Sequence, residues 1–145
     1  MDVFNRGAVS AFVTKDTSII REILSPRNAP DSIARQSLAE ATLPPGAATE
    51  GHYHPVTEEI YYILSGTGRM QIGSEAQSVA PGDGIAIPPG APHQIRNTGP
   101  ADLVFLCCCA PAYEHEDTVM TDMPPLAQQD GPVRQERPVK AERRE

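Results

Sequence analysis

Prolines and glycines punctuate the middle of this chain about every ten residues, which cuts it into pieces of strand length. There are 15 prolines in 145 residues, about twice the usual ~5%. Proline removes a backbone donor and fixes φ, and glycine supplies the positive φ that tight turns require. Pieces bounded this way and rich in β-branched and aromatic residues read as strands of an antiparallel sandwich or barrel. They are Ser37–Thr42, Glu59–Leu64, Arg69–Ile72, Ala76–Val79, Gly84–Ile87, His93–Arg96 and Leu103–Cys109. Turn signals such as Ser65-Gly66-Thr67-Gly68, Pro81-Gly82-Asp83-Gly84 and Pro88-Pro89-Gly90 separate them. No long helical periodicity interrupts the series, so the class is all-β.

Three regions follow from this pattern. Residues 1–30 form an entry segment, in which Ser18–Leu24 (SIIREIL) is the one apolar run and reads equally as strand or helical turn. Residues 31–122 carry the strands. Residues 123–145 are a polar tail that, from Pro124 on, holds five basic and four acidic residues and almost nothing apolar. Composition alone leaves such a tail disordered, unless a second subunit holds it.

A chain of this length is one domain, long enough for a real core. Its net charge is −7 and its body has no basic cluster. That argues against nucleic acid and against an anionic membrane surface, since both need a positive footprint. No stretch approaches the ~18 apolar residues of a membrane span, and the first ten residues lack a signal-like apolar core. Three cysteines, Cys107, Cys108 and Cys109, are adjacent and have no partner elsewhere. This fits a reducing compartment, and the cytoplasm is the expected location. Neighbouring strand residues point to opposite faces, so the triplet cannot converge on one ion and is expected to pack as small hydrophobes.

The chemistry concentrates in the histidines. His52 and His54 lie at i and i+2, so in an extended segment both imidazoles leave one face. Glu58 and Glu59 follow within reach, and His93 stands past the proline corner at residues 88–92. Imidazoles and a carboxylate gathered by a folded sheet make a divalent metal site. No G-x-S-x-G elbow, phosphate loop or dinucleotide-binding glycine pattern is present.

Two spaced patterns carry a family resemblance. Gly46-x5-His52-x-His54-x4-Glu59-x6-Gly66 and Gly82-x5-Pro88-x-Gly90-x2-His93-x3-Asn97 are similar to the two cupin motifs, position for position. The resemblance covers about Ser37–Cys109. It implies an antiparallel jelly-roll β-barrel or β-sandwich, commonly dimeric, with one divalent metal held by His52, His54, Glu59 and His93. It also chooses Glu59 over Glu58, because the family's ligand precedes the Gly66 turn by seven residues. Zinc is the preferred ion, with Fe, Ni, Cu and Mn as alternatives.

In texture and length, HYHPVTEEIYYILSGTGRM, PPGAPHQIRNTG and LCCCAPAYEHEDT look like the short cupins that include bacterial aromatic polyketide cyclases of the resistomycin type. That class implies an intramolecular aldol condensation and dehydration of a poly-β-ketone, with the metal as Lewis acid and the substrate free or on an acyl carrier protein. Strand parity with Glu59 and His93 predicts a mostly apolar cavity for an apolar or aromatic substrate, lined by Tyr61, Ile63, Met70, Ile72 and Ile95. For the base, metal hydroxide ranks first and His115 second; Tyr61 faces inward but is weak at a normal pKa of about 10. A metal-dependent dioxygenase and a non-catalytic small-molecule-binding cupin are the alternatives.

Overall fold

The structure, a computed structural model, describes residues 1–127. Eleven strands follow in order: β1 (Phe12–Val13), β2 (Ile19–Leu24), β3 (Ser37–Leu43), β4 (His52–Tyr53), β5 (Glu58–Ser65), β6 (Gly68–Ile72), β7 (Glu75–Val79), β8 (Gly84–Ile87), β9 (His93–Asn97), β10 (Leu103–Ala110) and β11 (Val119–Met120). They form two antiparallel sheets, β1-β2-β3-β10-β5-β8 and β11-β4-β9-β6-β7. Chain neighbours β5 and β6 lie in different sheets, as do β3 and β4, and these crossovers give the jelly roll.

The inward faces follow the period of two that the residues impose. Along β5, Glu59, Tyr61 and Ile63 are buried while Glu58, Ile60, Tyr62 and Leu64 are exposed; along β10, Leu103, Phe105, Cys107 and Cys109 are buried. Leu43, Ile63, Ile95, Leu103 and Phe105 from both sheets fill the centre of the sandwich and are almost wholly excluded from water.

Two motif positions serve the fold itself. Gly66 turns at φ +80°, and a Cβ there would stand 2.4 Å from the carbonyl oxygen of Asp102, so only glycine fits between β5 and β6. Asn97 is buried at the end of β9, where its Nδ2 donates to the carbonyls of Leu43 (2.8 Å) and Ala101 (2.7 Å) and its Oδ1 accepts from Gly99 N (2.9 Å). One side chain thereby ties three loop and strand ends.

Of the two readings open to the apolar run of the entry segment, the strand is the one found. SIIREIL is a strand, β2, paired with β3 from Ile19↔Thr42 to Leu24↔Leu38, so residues 1–30 extend a barrel sheet instead of leading up to it. The branched Ile19 and Ile20 suit a pleated surface, and β3 supplies the open edge that the run alone could not reveal. At the other end, Gln94 Nε2 donates to the Pro124 carbonyl (2.7 Å) and Leu126 is buried. Residues 128–145, and with them any hold of a second subunit on the tail, lie outside the described residues. Among the described residues no helix is long and apolar enough to cross a membrane.

Candidate metal centre

Two sheets meet over the histidines. β4 and β9 pair through one register point, His52↔His93, which sets these two imidazoles side by side. His54 follows at the end of β4, and Glu59 reaches in from β5 of the facing sheet. The potential ligand atoms of His52, His54, Glu59 and His93 all lie within 4.8 Å of one another, and all four residues are buried. Glu59 Oε2 is 3.4 Å from both His54 Nε2 and His93 Nε2.

The tautomers are dictated from behind. His52 Nδ1 contacts the Glu50 carbonyl (2.9 Å), His54 Nδ1 the Asp117 carbonyl (3.2 Å) and His93 Nδ1 the Ala91 carbonyl (2.9 Å). A carbonyl only accepts, so each Nδ1 carries the proton and each neutral ring turns an Nε2 lone pair to the centre. Glu59 Oε2 and His93 Nε2 are buried with no hydrogen-bond partner among the described residues. Orphaned acceptors of this kind are costly unless something cationic satisfies them. Three imidazoles and a carboxylate so arranged fit a divalent ion.

Without an ion, the electrostatics depend on the imidazoles taking a second proton. Burial works to raise the Glu59 carboxyl, but His54 and His93 in their protonated forms outweigh it and hold the pKa at about 2. Burial works to lower His54, yet Glu59 brings it above its usual value; His52 is lowered, first by burial and then by His93.

A cavity partly open to solvent lies beside this centre. Its walls include Ile20, Ala39, Ala41, Tyr61 and Phe105. The lining expected from parity is thus corrected: Tyr61 lines the cavity, but Ile63, Met70 and Ile95 belong to the core and Ile72 packs against it. Parity finds the inward face of a strand, and not which end of that face stays unfilled.

Tyr61 packs on Phe105 at 4.7 Å and on His93 at 6.0 Å between ring centroids. Burial, with Glu59 adding to it, raises the phenol well above its usual pKa, so it stays protonated and is no base near neutrality. His115 is also corrected. It is exposed in a 3-10 turn (His115–Asp117) and does not line the cavity; its backbone carbonyl accepts a bond from Lys15 Nζ (3.0 Å).

Several cavity residues were not foreseen. Cys107 and Cys109 share the inward parity of Phe105 and both line the cavity, while Cys108 faces the other side. Cys109 Sγ donates to Glu59 Oε1 (3.4 Å), and burial pushes both inward thiols up. Asp16, Thr14 and Ser18 come from the turn between β1 and β2. The Thr-x-Asp-x-Ser spacing signals a side-chain-capped turn, but the strand pairing that carries it to the site is non-local.

A family model described as the cupin domain matches residues 39–109. An uncharacterised protein of Methanocaldococcus jannaschii is 50% identical over 110 residues, covering 76% of this chain and 86% of that one. This chain is a cupin. The tetracenomycin polyketide synthase protein TcmJ of Streptomyces glaucescens is 30% identical to this cupin over 105 residues, covering 68% of this chain and 70% of that one. Among solved structures, the polyketide cyclase RemF from Streptomyces resistomycificus shares the fold with a TM-score of 0.70 at 24% identity, covering 86% of this cupin and 87% of RemF. A predicted oxalate decarboxylase of Thermotoga maritima superposes with a TM-score of 0.67 at 26% identity, covering 76% of this cupin and 99% of that chain.

Proposed function

We propose that this cupin is a metal-dependent cyclase that folds a neutral poly-β-ketone and closes it by intramolecular aldol condensation and dehydration. The observation that carries the reading is the character of the cavity wall. Apolar and small residues flank the His-His-Glu-His cluster, and among the described residues neither lysine nor arginine lines the cavity. A neutral ketone chain loses little solvation on entering such a space, whereas an oxalate dianion would meet Asp16, Glu22 and Glu59. Relatives with polyketide names therefore suit the site better than those with oxalate names.

A zinc ion held by His52, His54, Glu59 and His93 would supply Lewis acidity toward a substrate carbonyl. The chain's own residues do the rest. Tyr61 and Phe105 offer flat faces to a folding chain, and Tyr61 keeps its proton and can donate it in a hydrogen bond. Ile20, Ala39 and Ala41 add apolar wall to that space.

The test incubates chelator-stripped and zinc-restored protein with a poly-β-ketone, free and carrier-bound, and follows loss of water by mass spectrometry. Cyclisation restored best by zinc supports the reading. Oxygen uptake restored by iron, copper, nickel or manganese would establish the dioxygenase instead, and tight binding without turnover would leave a binding module.

We infer also that the chain pairs with a second copy through the outer face of the six-stranded sheet. Ile60, Tyr62 and Leu64 of β5 stand 53, 45 and 42% exposed there, and cross-strand pairing continues the apolar stripe through Ala86, Leu106, Cys108 and Leu38. An exposed apolar stripe of this kind suits an identical partner packed about a two-fold axis. Tyr62→Lys is expected to shift sedimentation toward monomer, and an unchanged profile would reject this face.

A further inference from the structure

The turn between β1 and β2 delivers a carboxylate to the cavity and leaves half of it unused. Asp16 is buried, at 7% exposure. Its Oδ1 accepts from Thr14 Oγ1, from Ser18 Oγ (2.7 Å) and from Ser18 N (3.2 Å). The turn is braced further by Thr14 N donating to Ser18 O (3.1 Å), Glu50 N to Asp16 O (2.9 Å) and Thr17 Oγ1 to Ala48 O (3.3 Å). Thr17 takes a left-handed φ of +72°, a conformation that costs a β-branched residue roughly 1–3 kcal/mol and persists where surroundings impose it. The effort fixes Oδ1 completely and points Oδ2 elsewhere.

Oδ2 lies 3.8 Å from His52 Nε2 and accepts no hydrogen bond from the described residues. Asp16 stands outside the four-residue ligand group. It is therefore a buried, rigidly held acceptor with a vacant lone pair, beside the ligand atom of His52 and on the cavity wall.

We propose that Asp16 contacts the substrate, accepting a hydrogen bond from its hydroxyl group while the adjacent carbonyl faces the metal centre, and that the same carboxylate turns away anionic ligands. The ligand class this selects is a neutral hydroxyketone, the functional pair that an aldol addition creates. The proposal rests on the cyclase reading for its biological substrate, but the recognition is a property of the site alone.

The experiment reads binding, not turnover. Cobalt-loaded protein is titrated with diacetone alcohol (one carbonyl, one β-hydroxyl), with 4-methyl-2-pentanone, which lacks the hydroxyl, and with oxalate, following the visible cobalt absorption. Wild type is expected to prefer the hydroxyketone over the plain ketone by about tenfold, as a charge-assisted hydrogen bond would give. Asp16→Ala should erase that preference. Asp16→Asn keeps an acceptor for Thr14 and Ser18 but drops the charge, so oxalate affinity should rise about tenfold. A wild type that does not distinguish the two ketones, or an Asp16→Asn protein with unchanged oxalate affinity, would overturn the proposal. Correct discrimination without cyclisation would refute the cyclase and leave Asp16 standing; cyclisation without discrimination would do the reverse. Failure to take up cobalt would overturn both.

Discussion

Each imidazole of the centre is committed by its Nδ1 contact, and that one bond decides which nitrogen can meet a cation. His52→Ala or His93→Ala should therefore abolish metal uptake, measured by plasma mass spectrometry, while circular dichroism still shows a β-sheet fold; full stoichiometry in either variant would contradict the ligand set. Glu59 sets the acid limit of the metal-free chain. Its carboxyl falls from an ordinary 4.5 to about 2 on folding, so its contribution is complete above 4.5 and is lost as pH drops from there toward 2. In urea titrations of chelated protein from pH 6 to 2, wild type should weaken through that window and Glu59→Gln should weaken less. Asn97→Ala leaves the carbonyls of Leu43 and Ala101 without their amide donor, a loss of about 2–4 kcal/mol in denaturant unfolding.

At the scale of elements, the strands were legible because their boundaries are chemical. Gly84–Ile87 is found where expected, and Ser37–Thr42 and Leu103–Cys109 each extend by one residue, because prolines and turn glycines end strands for local reasons. The clustering of His52, His54 and His93 was legible for the same cause: His-x-His fixes a shared face, and the pairing of β4 with β9 sets His93 beside it. β2 was ambiguous until β3 offered it an edge. Asp16 was invisible because its role depends on a hairpin folding back against residues 48–50, far along the chain. Cys107 and Cys109 stand in the sequence as part of a triplet, but alternation makes them a pair on one wall. A direct check of that turn is Ser18→Ala, expected to loosen Asp16 and lower hydroxyketone affinity several-fold in the cobalt titration without altering metal content.

Across the whole molecule, two segments about a hundred residues apart meet beside the cavity. Lys15 Nζ donates to the carbonyls of His115 (3.0 Å) and Thr118 (3.3 Å), and Arg27 pairs with Glu114 at 2.6 Å. The second of these is exposed and contributes little; the first joins the Asp16 turn to the segment that holds His54. Lys15→Met should speed amide exchange in residues 14–18 and 115–120 together, while β5 and β10 keep wild-type protection. Coupled exchange would show one shared clasp, and independent exchange would not. The four clustered side chains thus stand on or beside β4, β5 and β9, while one wall of the cavity comes from two segments far apart in the chain. A library diversified only over residues 12–20 and 111–120 would reface that one wall of the room, so selection could change what enters and how it sits while the opposite walls stay as built.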